Sequence, residues 1–287
     1  MIQFLNRISP ALRVHSWGGL GSQLFSAHLA IVLREKYPKR RIKVLVHTSG
    51  LTQRFTEFNF QNLGVQTRQL DDFFDLNMNT KEGQLPHLIT NFRHHLKYLL
   101  KRIFFATQIL NYGNTDEDIC RIKPWTLALR GHYTKITIHR QSLIVLADAL
   151  IDSTKHGIKP TPDIAIHYRL GDLLEIKRES VINPQRIVEI LAEIPFDNLS
   201  ISVLCDSPQE TWKNFTRGVP VLTTLKSAFV SPISAMHTCI ESQLFIGTSA
   251  KLALWIALFR AAIYEKESFL PSELNWLNFS TKLINWY

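Results

Sequence analysis

An apolar run that passes directly into charged and small residues, Asp163-Ile-Ala-Ile-His-Tyr-Arg-Leu-Gly-Asp172, constrains this fold more than any other stretch of the chain. The run reads as a buried strand. At its end stand His167, Arg169, Gly171 and Asp172. A guanidinium is a planar fork that pairs with phosphate oxygens and keeps its charge at neutral pH. Gly171 allows the backbone to turn sharply after it. An edge of this kind can hold a phosphate-bearing donor. The plainer alternative is a strand that ends in a solvated polar turn.

The surrounding pattern places that strand in a parallel α/β protein. Ala11–Ser16 reads as a strand, Gly18-Gly19-Leu20-Gly21 as a turn, Ser22–Lys36 as a helix ending at Tyr37-Pro38, and Ile42–Val46 as a second strand. Strand, glycine turn, helix, strand is the opening of a parallel unit. The same alternation restarts in the second half. Strands are expected at Asp163–Ile166, Ile201–Leu204 and Leu244–Ile246, and helices at Pro184–Ile194, Ser207–Phe215 and Ser249–Tyr264. A helix is also expected over Ile138–Ser153. Residues 51–80 are mixed and polar and give no firm element. The polar, proline-bearing stretch 154–162 is the natural linker, so two α/β units are expected, 1–155 and 156–287. The segment after Pro271 is a candidate to cross back to the first unit.

The glycine turn brings bare backbone to a helix N-terminus, where unpaired N–H groups attract anions or hydroxyls. No Gly-Lys-Ser/Thr follows, which excludes a P-loop. Leu24 stands where a dinucleotide fingerprint needs a small residue, and the next strand ends in Val46-His47 rather than an acid.

Composition narrows the classes of partner. With 45% apolar residues the chain can build a sizeable core, and its net charge of +9 favours anionic partners. No recognition-helix, zinc-finger or aromatic RNA-binding signature accompanies that charge, which argues against nucleic acid. The basic run Lys36, Lys39, Arg40, Arg41 and Lys43 reads as a solvated turn near a helix C-terminus. Cys120, Cys205 and Cys239 have no metal spacing and read as reduced thiols of an intracellular protein. No apolar run reaches the ~20 residues of a membrane span, and the closest, Leu252–Ile263, carries Arg260. A cytoplasmic location is expected, with peripheral attachment at the inner membrane open. Arg93–Phe105 combines basic and apolar residues, and suits either an anionic membrane surface or a core-facing helix.

Four ordered segments carry a family resemblance: Gly18-Gly-Leu-Gly-Ser-Gln-Leu-Phe25, Leu129-Arg-Gly-His-Tyr133, His167-Tyr-Arg-Leu-Gly-Asp172, and Val203-Leu-Cys-Asp-Ser207 with Trp212 and Asn214. A fifth runs from Ala235-Met-His-Thr-Cys239 to Phe245-Ile-Gly-Thr-Ser249 and Trp255. Together they resemble the bacterial α-1,2-fucosyltransferases of glycosyltransferase family 11 and, more distantly, the α-1,6- and protein O-fucosyltransferases. The resemblance implies a GT-B-like architecture of two Rossmann-like domains facing a central cleft, acceptor on the N-terminal side and nucleotide-sugar on the C-terminal side. It implies inverting, metal-independent transfer of fucose from GDP-fucose, with no cofactor, to a glycan acceptor, which could be lipid-linked. By the same resemblance, Arg169 holds the donor diphosphate, and His167 and Asp206 face the guanine. Thr248 and Ser249 bring hydroxyls near the phosphates, and Gly19, Gly21, Ser22 and Gln23 form the loop facing the cleft.

Three positions depart from the family pattern. Ser22 stands for Asn, Leu170 for a second Arg, and Ser231 near a usual acid.

The chemistry read from the residues alone is compatible with this. Metal-free departure of a nucleoside diphosphate needs fixed cations and donors at the distal phosphate. Arg169 suits that role, aided by Ser249 at a helix start. Asp206 could accept from a guanine edge or N-cap the Ser207–Phe215 helix. His167 could face the base or be a hydrogen-bonded core histidine. Asp172 and Glu175 are the candidate general bases, and Asp172 could equally brace the turn. Two other functions stay open: a glycosyltransferase with another nucleotide-sugar, and a non-catalytic binding protein at a membrane surface.

Overall fold

The computed structural model describes residues 11–47, 57–70, 109–111, 115–123, 126–151, 161–171, 173–176, 178–194, 199–225, 227–228, 230–276 and 281–287. The chain divides into two compact units, Met1–Thr137 and Ile138–Tyr287. Each is built on its own parallel sheet.

The first unit contains β1 (Leu12–Ser16), α1 (Leu20–Lys36), β2 (Ile42–His47), a 3-10 turn at Phe60–Leu63, β3 (Gln66–Leu70), β4 (Ile109–Asn111), α2 (Asp116–Cys120) and β5 (Ala128–Arg130). The sheet order is β3-β2-β1-β5-β4, so β1 is central, with Val14 paired to Val44 on one side and to Leu129 on the other. Leu12 and Val14 are fully buried, as are Leu24, Phe25, Leu29 and Leu33 of α1. Each such side chain contributes about 1.5–3 kcal/mol on leaving water. The structure corrects the reading of the basic run. Arg40 is buried, and its guanidinium donates to the carbonyls of Lys123 (3.0 Å) and Thr126. Lys39 and Arg41 are exposed, as a solvated turn requires.

The second unit begins with α3 (Arg140–Ile151), followed by β6 (Ile164–Tyr168), α4 (Leu173–Ile176), α5 (Pro184–Ala192), β7 (Ile201–Cys205), α6 (Gln209–Phe215), α7 (Pro220–Thr224), β8 (Ser227–Ala228), α8 (Pro232–Glu241), β9 (Leu244–Gly247), α9 (Lys251–Phe259), β10 (Ser268–Leu270) and β11 (Ile284–Trp286). The sheet order β11-β10-β9-β6-β7-β8 is the Rossmann order. The chain leaves β6 toward β7 and β8, then returns to the other side of β6 for β9, β10 and β11. All five residues of β6 are buried, the mark of a central parallel strand. Tyr168 and Leu170 enter one apolar cluster with Ile187, Trp212 and Ile246.

Local signals explain the helix starts. Asn183 caps α5 by accepting from Gln185 N (3.0 Å), with Pro184 at the first helical position. Ser231, where the family pattern carries a nearby acid, caps α8 by accepting from Ser234 N (3.2 Å). The long expected helix from Ser249 to Tyr264 is α9 continued by a π turn, Arg260–Tyr264.

The division falls at 137/138, not at 155/156. The reason is α3, which belongs with the second sheet: Arg140 Nε donates to Ala262 O in the π turn (2.9 Å). The segment after Pro271 does not cross back, because β11 pairs with β10 in register Phe269 to Asn285. Most of the proline-bearing linker, and all of the amphipathic Arg93–Phe105 stretch, lie outside the described residues. Among the described residues no helix is long and apolar enough to cross a membrane.

Candidate functional site

In a parallel sheet, side chains that follow the strands gather at the C-terminal edge. Ligands bind where the strand order reverses. In the second unit that point lies between β6 and β9, which pair in register from Ile164–Leu244 to His167–Gly247. Arg169 follows β6, Thr248 and Ser249 follow β9, and Asp206 follows the neighbouring strand β7. The fold therefore gathers His167, Arg169, Asp206, Thr248 and Ser249 at one edge.

Hydrogen bonds hold the Arg169 backbone from both sides. Thr248, 1% exposed, accepts from Arg169 N through its hydroxyl oxygen (2.9 Å) and donates to His167 O (3.2 Å). On the other side Asp206 Oδ1 accepts from Leu170 N (2.7 Å) and Gly171 N (2.9 Å). Asp206 is exposed, and it is not the N-cap of α6. That position belongs to Pro208, which makes no side-chain bond. The carboxylate thus fixes the turn after β6 with one oxygen. Ser249 donates to Glu273 Oε1.

Gly171 is required by this arrangement. A Cβ there would lie 2.7 Å from Asp206 Oδ2 and 3.0 Å from its Cγ. Gly171→Ala is expected to push the carboxylate off the turn and to cost about 1–3 kcal/mol of stability. Urea unfolding of wild type and variant measures it; an unchanged midpoint would mean that Asp206 does not fix this turn.

His167 is only 7% exposed, and its Nδ1 has no hydrogen-bond partner among the described residues. Burial draws its imidazole down to about 4; Asp206 pulls the other way and Arg169 adds to the drop. The ring is therefore neutral at pH 7 and offers one donor and one acceptor rather than a fixed charge.

Leu170 is fully buried in the apolar cluster. The position where the family carries a second arginine thus points into the core here. A second cation nevertheless stands at the same edge. Lys251 opens α9, is half-buried, and is drawn down to about 8 by burial and by the Arg169 charge. Sequence reading missed it, because a lysine heading an apolar helix looks like an ordinary solvated end. Asp172 lies outside the described residues, and so does the side chain of Glu175, whose backbone belongs to α4.

The glycine turn belongs to the first unit. Gly18 adopts φ +80, and α1 starts at Leu20 with Gly19 as N-cap. The positive helix end is already occupied by the chain itself, since Leu20 N donates to Glu57 Oε2 (2.8 Å). Gln23 is fully buried. Its amide donates to Gly18 O (3.1 Å), and its Oε1 accepts from Glu57 N and Phe58 N (3.0 and 2.9 Å). Gln23 therefore clamps the turn to residues 57 and 58. Gly21 is buried in the first turn of α1, and Ser22 Oγ comes within 3.1 Å of where a Cβ on Gly18 would stand.

Beside this turn, β1 and β2 end in a pair of buried histidines. His15 Nδ1 and His47 Nε2 are 2.8 Å apart, and Trp17 stacks on both rings at 5.5 and 4.7 Å. Burial, His47 and two arginines hold His15 well below the usual histidine range. Tyr133, of the Leu129–Tyr133 segment, reaches His15 O (2.7 Å) and Leu129 O (2.8 Å) with its hydroxyl and ties β1 to β5.

No family model and no curated protein matches the sequence. Among solved structures the chain is similar to TibC, an iron-containing dodecameric glycosyltransferase from enterotoxigenic E. coli H10407. The TM-score is 0.50 at 14% identity, over 96% of this chain and 62% of TibC. The fold is GT-B-like. Further similar structures are the E. coli heptosyltransferase WaaC with ADP-2-deoxy-2-fluoro heptose (TM-score 0.49, 9% identity, 96% of this chain and 92% of WaaC) and POFUT1 in its apo-form (0.43, 9%, 91% and 98%).

Proposed function

We propose that this chain is a glycosyltransferase that binds a nucleotide-sugar at the C-terminal edge of its second sheet. One observation carries the reading. Arg169 stands at the switch point of a Rossmann-ordered sheet, its backbone held by Thr248 and the next two residues held by Asp206. A backbone held in this way fixes where the guanidinium starts from, which lowers the reorganisation needed to meet developing charge. The likeness in fold to a glycosyltransferase supports the reading.

The finer proposal is transfer of fucose from GDP-fucose to a hydroxyl, such as the 2-OH of galactose, in a surface polysaccharide or oligosaccharide. The acceptor oxygen attacks the anomeric carbon from the face opposite the nucleotide, and the bond to the distal phosphate oxygen breaks with inversion. The nucleoside diphosphate leaves with the bonding electrons, and Arg169 offsets that charge without a metal. The hydroxyl proton passes to a carboxylate, with Asp172 and Glu175 as the candidates. The neutral His167 ring and the exposed Asp206 oxygen supply groups that can hydrogen-bond a base edge.

The buried Leu170 favours a second reading, a different nucleotide-sugar in the same site, because one cation of the family pattern is absent from its usual position. A donor panel of GDP-fucose, ADP-heptose and UDP-N-acetylglucosamine, incubated with excess EDTA and assayed for released nucleoside diphosphate, separates the two. GDP release from GDP-fucose alone is expected. Turnover of another donor only would remove the fucosyl assignment, and no turnover of any donor, with or without acceptor glycans or added metal, would remove the enzyme assignment.

A further inference from the structure

We propose that Ser249 and Glu273 recognise the transferred sugar: they form an acceptor-only pair that takes hydrogen bonds from two neighbouring hydroxyls of the donor's sugar ring. This assignment rests on the reading of the edge as a nucleotide-sugar site and extends that site to the sugar.

The direction of one hydrogen bond limits what the pair can hold. Ser249 Oγ donates its single proton to Glu273 Oε1. With that proton engaged, the serine oxygen has only lone pairs left, and a carboxylate has nothing but lone pairs to offer. Glu273 is exposed, and its second oxygen accepts no hydrogen bond from the described residues. A phosphate is a poor match for such a pair, because it is itself an acceptor and carries the same sign of charge. Two adjacent acceptors match two adjacent O–H donors, the arrangement of a vicinal diol.

The backbone from which Glu273 projects is fixed. Glu273 lies in the 3-10 turn Ser272–Leu274, just after β10. Ser272 N donates to Tyr287 O (2.8 Å) and Leu274 N to Pro271 O (2.9 Å). The Tyr287 hydroxyl donates to Gly247 O (2.8 Å), which ties this segment to the end of β9, two residues before Ser249.

Strand order says which diol the pair meets. β7, β6, β9 and β10 are consecutive neighbours, and the residues that follow them are Asp206, Arg169, Ser249 and Glu273. Neighbouring strands lie about 4.8 Å apart, so β10 stands two spacings, about 10 Å, from β6. A donor laid along this edge with its base at Asp206 and its diphosphate at Arg169 brings its sugar to β9 and β10. The ribose, which lies between base and diphosphate, falls on the other side of Arg169 from Glu273. A carboxylate beside the start of α9 is also favourable for the helix itself, since helix N-termini attract negative charge. That structural role would not distinguish a nucleotide from its sugar conjugate, whereas sugar recognition would.

Calorimetry at pH 7, without acceptor, compares a nucleoside diphosphate with its sugar conjugate on wild type, Glu273→Ala, Glu273→Gln and Ser249→Ala, each with its melting temperature. The probe is whichever pair wild type binds best: GDP and GDP-fucose, ADP and ADP-heptose, or UDP and UDP-N-acetylglucosamine. Glu273→Ala is expected to weaken the sugar conjugate about 10- to 100-fold, the size of charge-assisted hydrogen bonds, and to change the diphosphate by less than about threefold. Glu273→Gln and Ser249→Ala each leave one acceptor of the pair in place and should lose less, again on the conjugate alone. Unchanged binding of the conjugate in Glu273→Ala would overturn the inference and leave the donor site standing. An equal loss of conjugate and diphosphate would also overturn it; if that loss disappears with the 2′-deoxy or 3′-deoxy diphosphate, the pair holds the ribose instead. Failure of wild type to bind any of the three pairs would remove the nucleotide-sugar reading itself.

Discussion

Arg169→Ala should keep its fold and lose sugar transfer by about 10²- to 10³-fold in kcat, the usual cost of removing one preorganised group that stabilises leaving charge. The substitution takes away the guanidinium alone. The bonds that shape the turn run through the Arg169 backbone N–H to Thr248 and through Leu170 N and Gly171 N to Asp206, and an alanine keeps all three. Melting should therefore fall by less than about 5 °C, since the backbone bonds that shape the turn remain. The loss should appear in kcat more than in donor KM, because charge on the distal phosphate grows as the bond breaks. Steady-state transfer with the turned-over donor reads this directly. Activity within about threefold of wild type would show that the diphosphate is not held by Arg169.

Arg260→Met carries the largest expected loss of stability. Arg260 is fully buried, and its guanidinium meets the end of α8 with every nitrogen engaged. Nη1 donates to the carbonyls of Cys239 (2.7 Å), Ile240 (3.1 Å) and Ser242 (2.8 Å), and Nη2 to those of Gln243 and Glu267 (both 2.8 Å). Nε reaches Ser268 Oγ (3.1 Å). A helix C-terminus leaves its last carbonyls unpaired and carries partial negative charge, so one buried cation satisfies both needs. Burial lowers its pKa only to about 10, which leaves it charged at pH 7. A methionine fills much of the volume and pairs with none of the carbonyls. Removing one side of a buried charged network typically costs about 3–5 kcal/mol. Urea unfolding should show that drop in midpoint with an unchanged slope. Arg260→Lys should recover little, because one ammonium cannot span carbonyls at 239, 243 and 267. A loss below about 1 kcal/mol in Arg260→Met would mean that the carbonyls find other partners.

Most of the second unit was legible because its elements carry local signals. The apolar runs of β6, β7 and β9 and the Asn183-Pro184 start of α5 lie within a few residues of the structures they make. β3 was not legible. It is an edge strand whose Gln66, Arg68 and Gln69 give no apolar alternation, and only its pairing with Lys43–His47 makes it a strand. The same holds for the Gln23–Glu57 clamp, whose partners are 34 residues apart. Arg40 looked like a solvent-facing charge, and Arg260 only like a charge inside an apolar run, since nothing near them in sequence shows the carbonyls that receive them.

The alternation of β1, β2, β6, β7 and β9 with helices, the switch from polar turns to buried runs, and the arrival of Arg169 at the end of a core strand were determined by the sequence alone, because periodicity and turn chemistry act over a few neighbouring residues. Tertiary structure decided what each charge meets: Asp206 on the turn 35 residues before it, Thr248 on Arg169 across 79 residues, Lys251 within reach of the Arg169 charge. The physical reason is that a hydrogen bond or a Coulomb interaction depends on distance in space. Strand pairing alone brings these residues to the same edge.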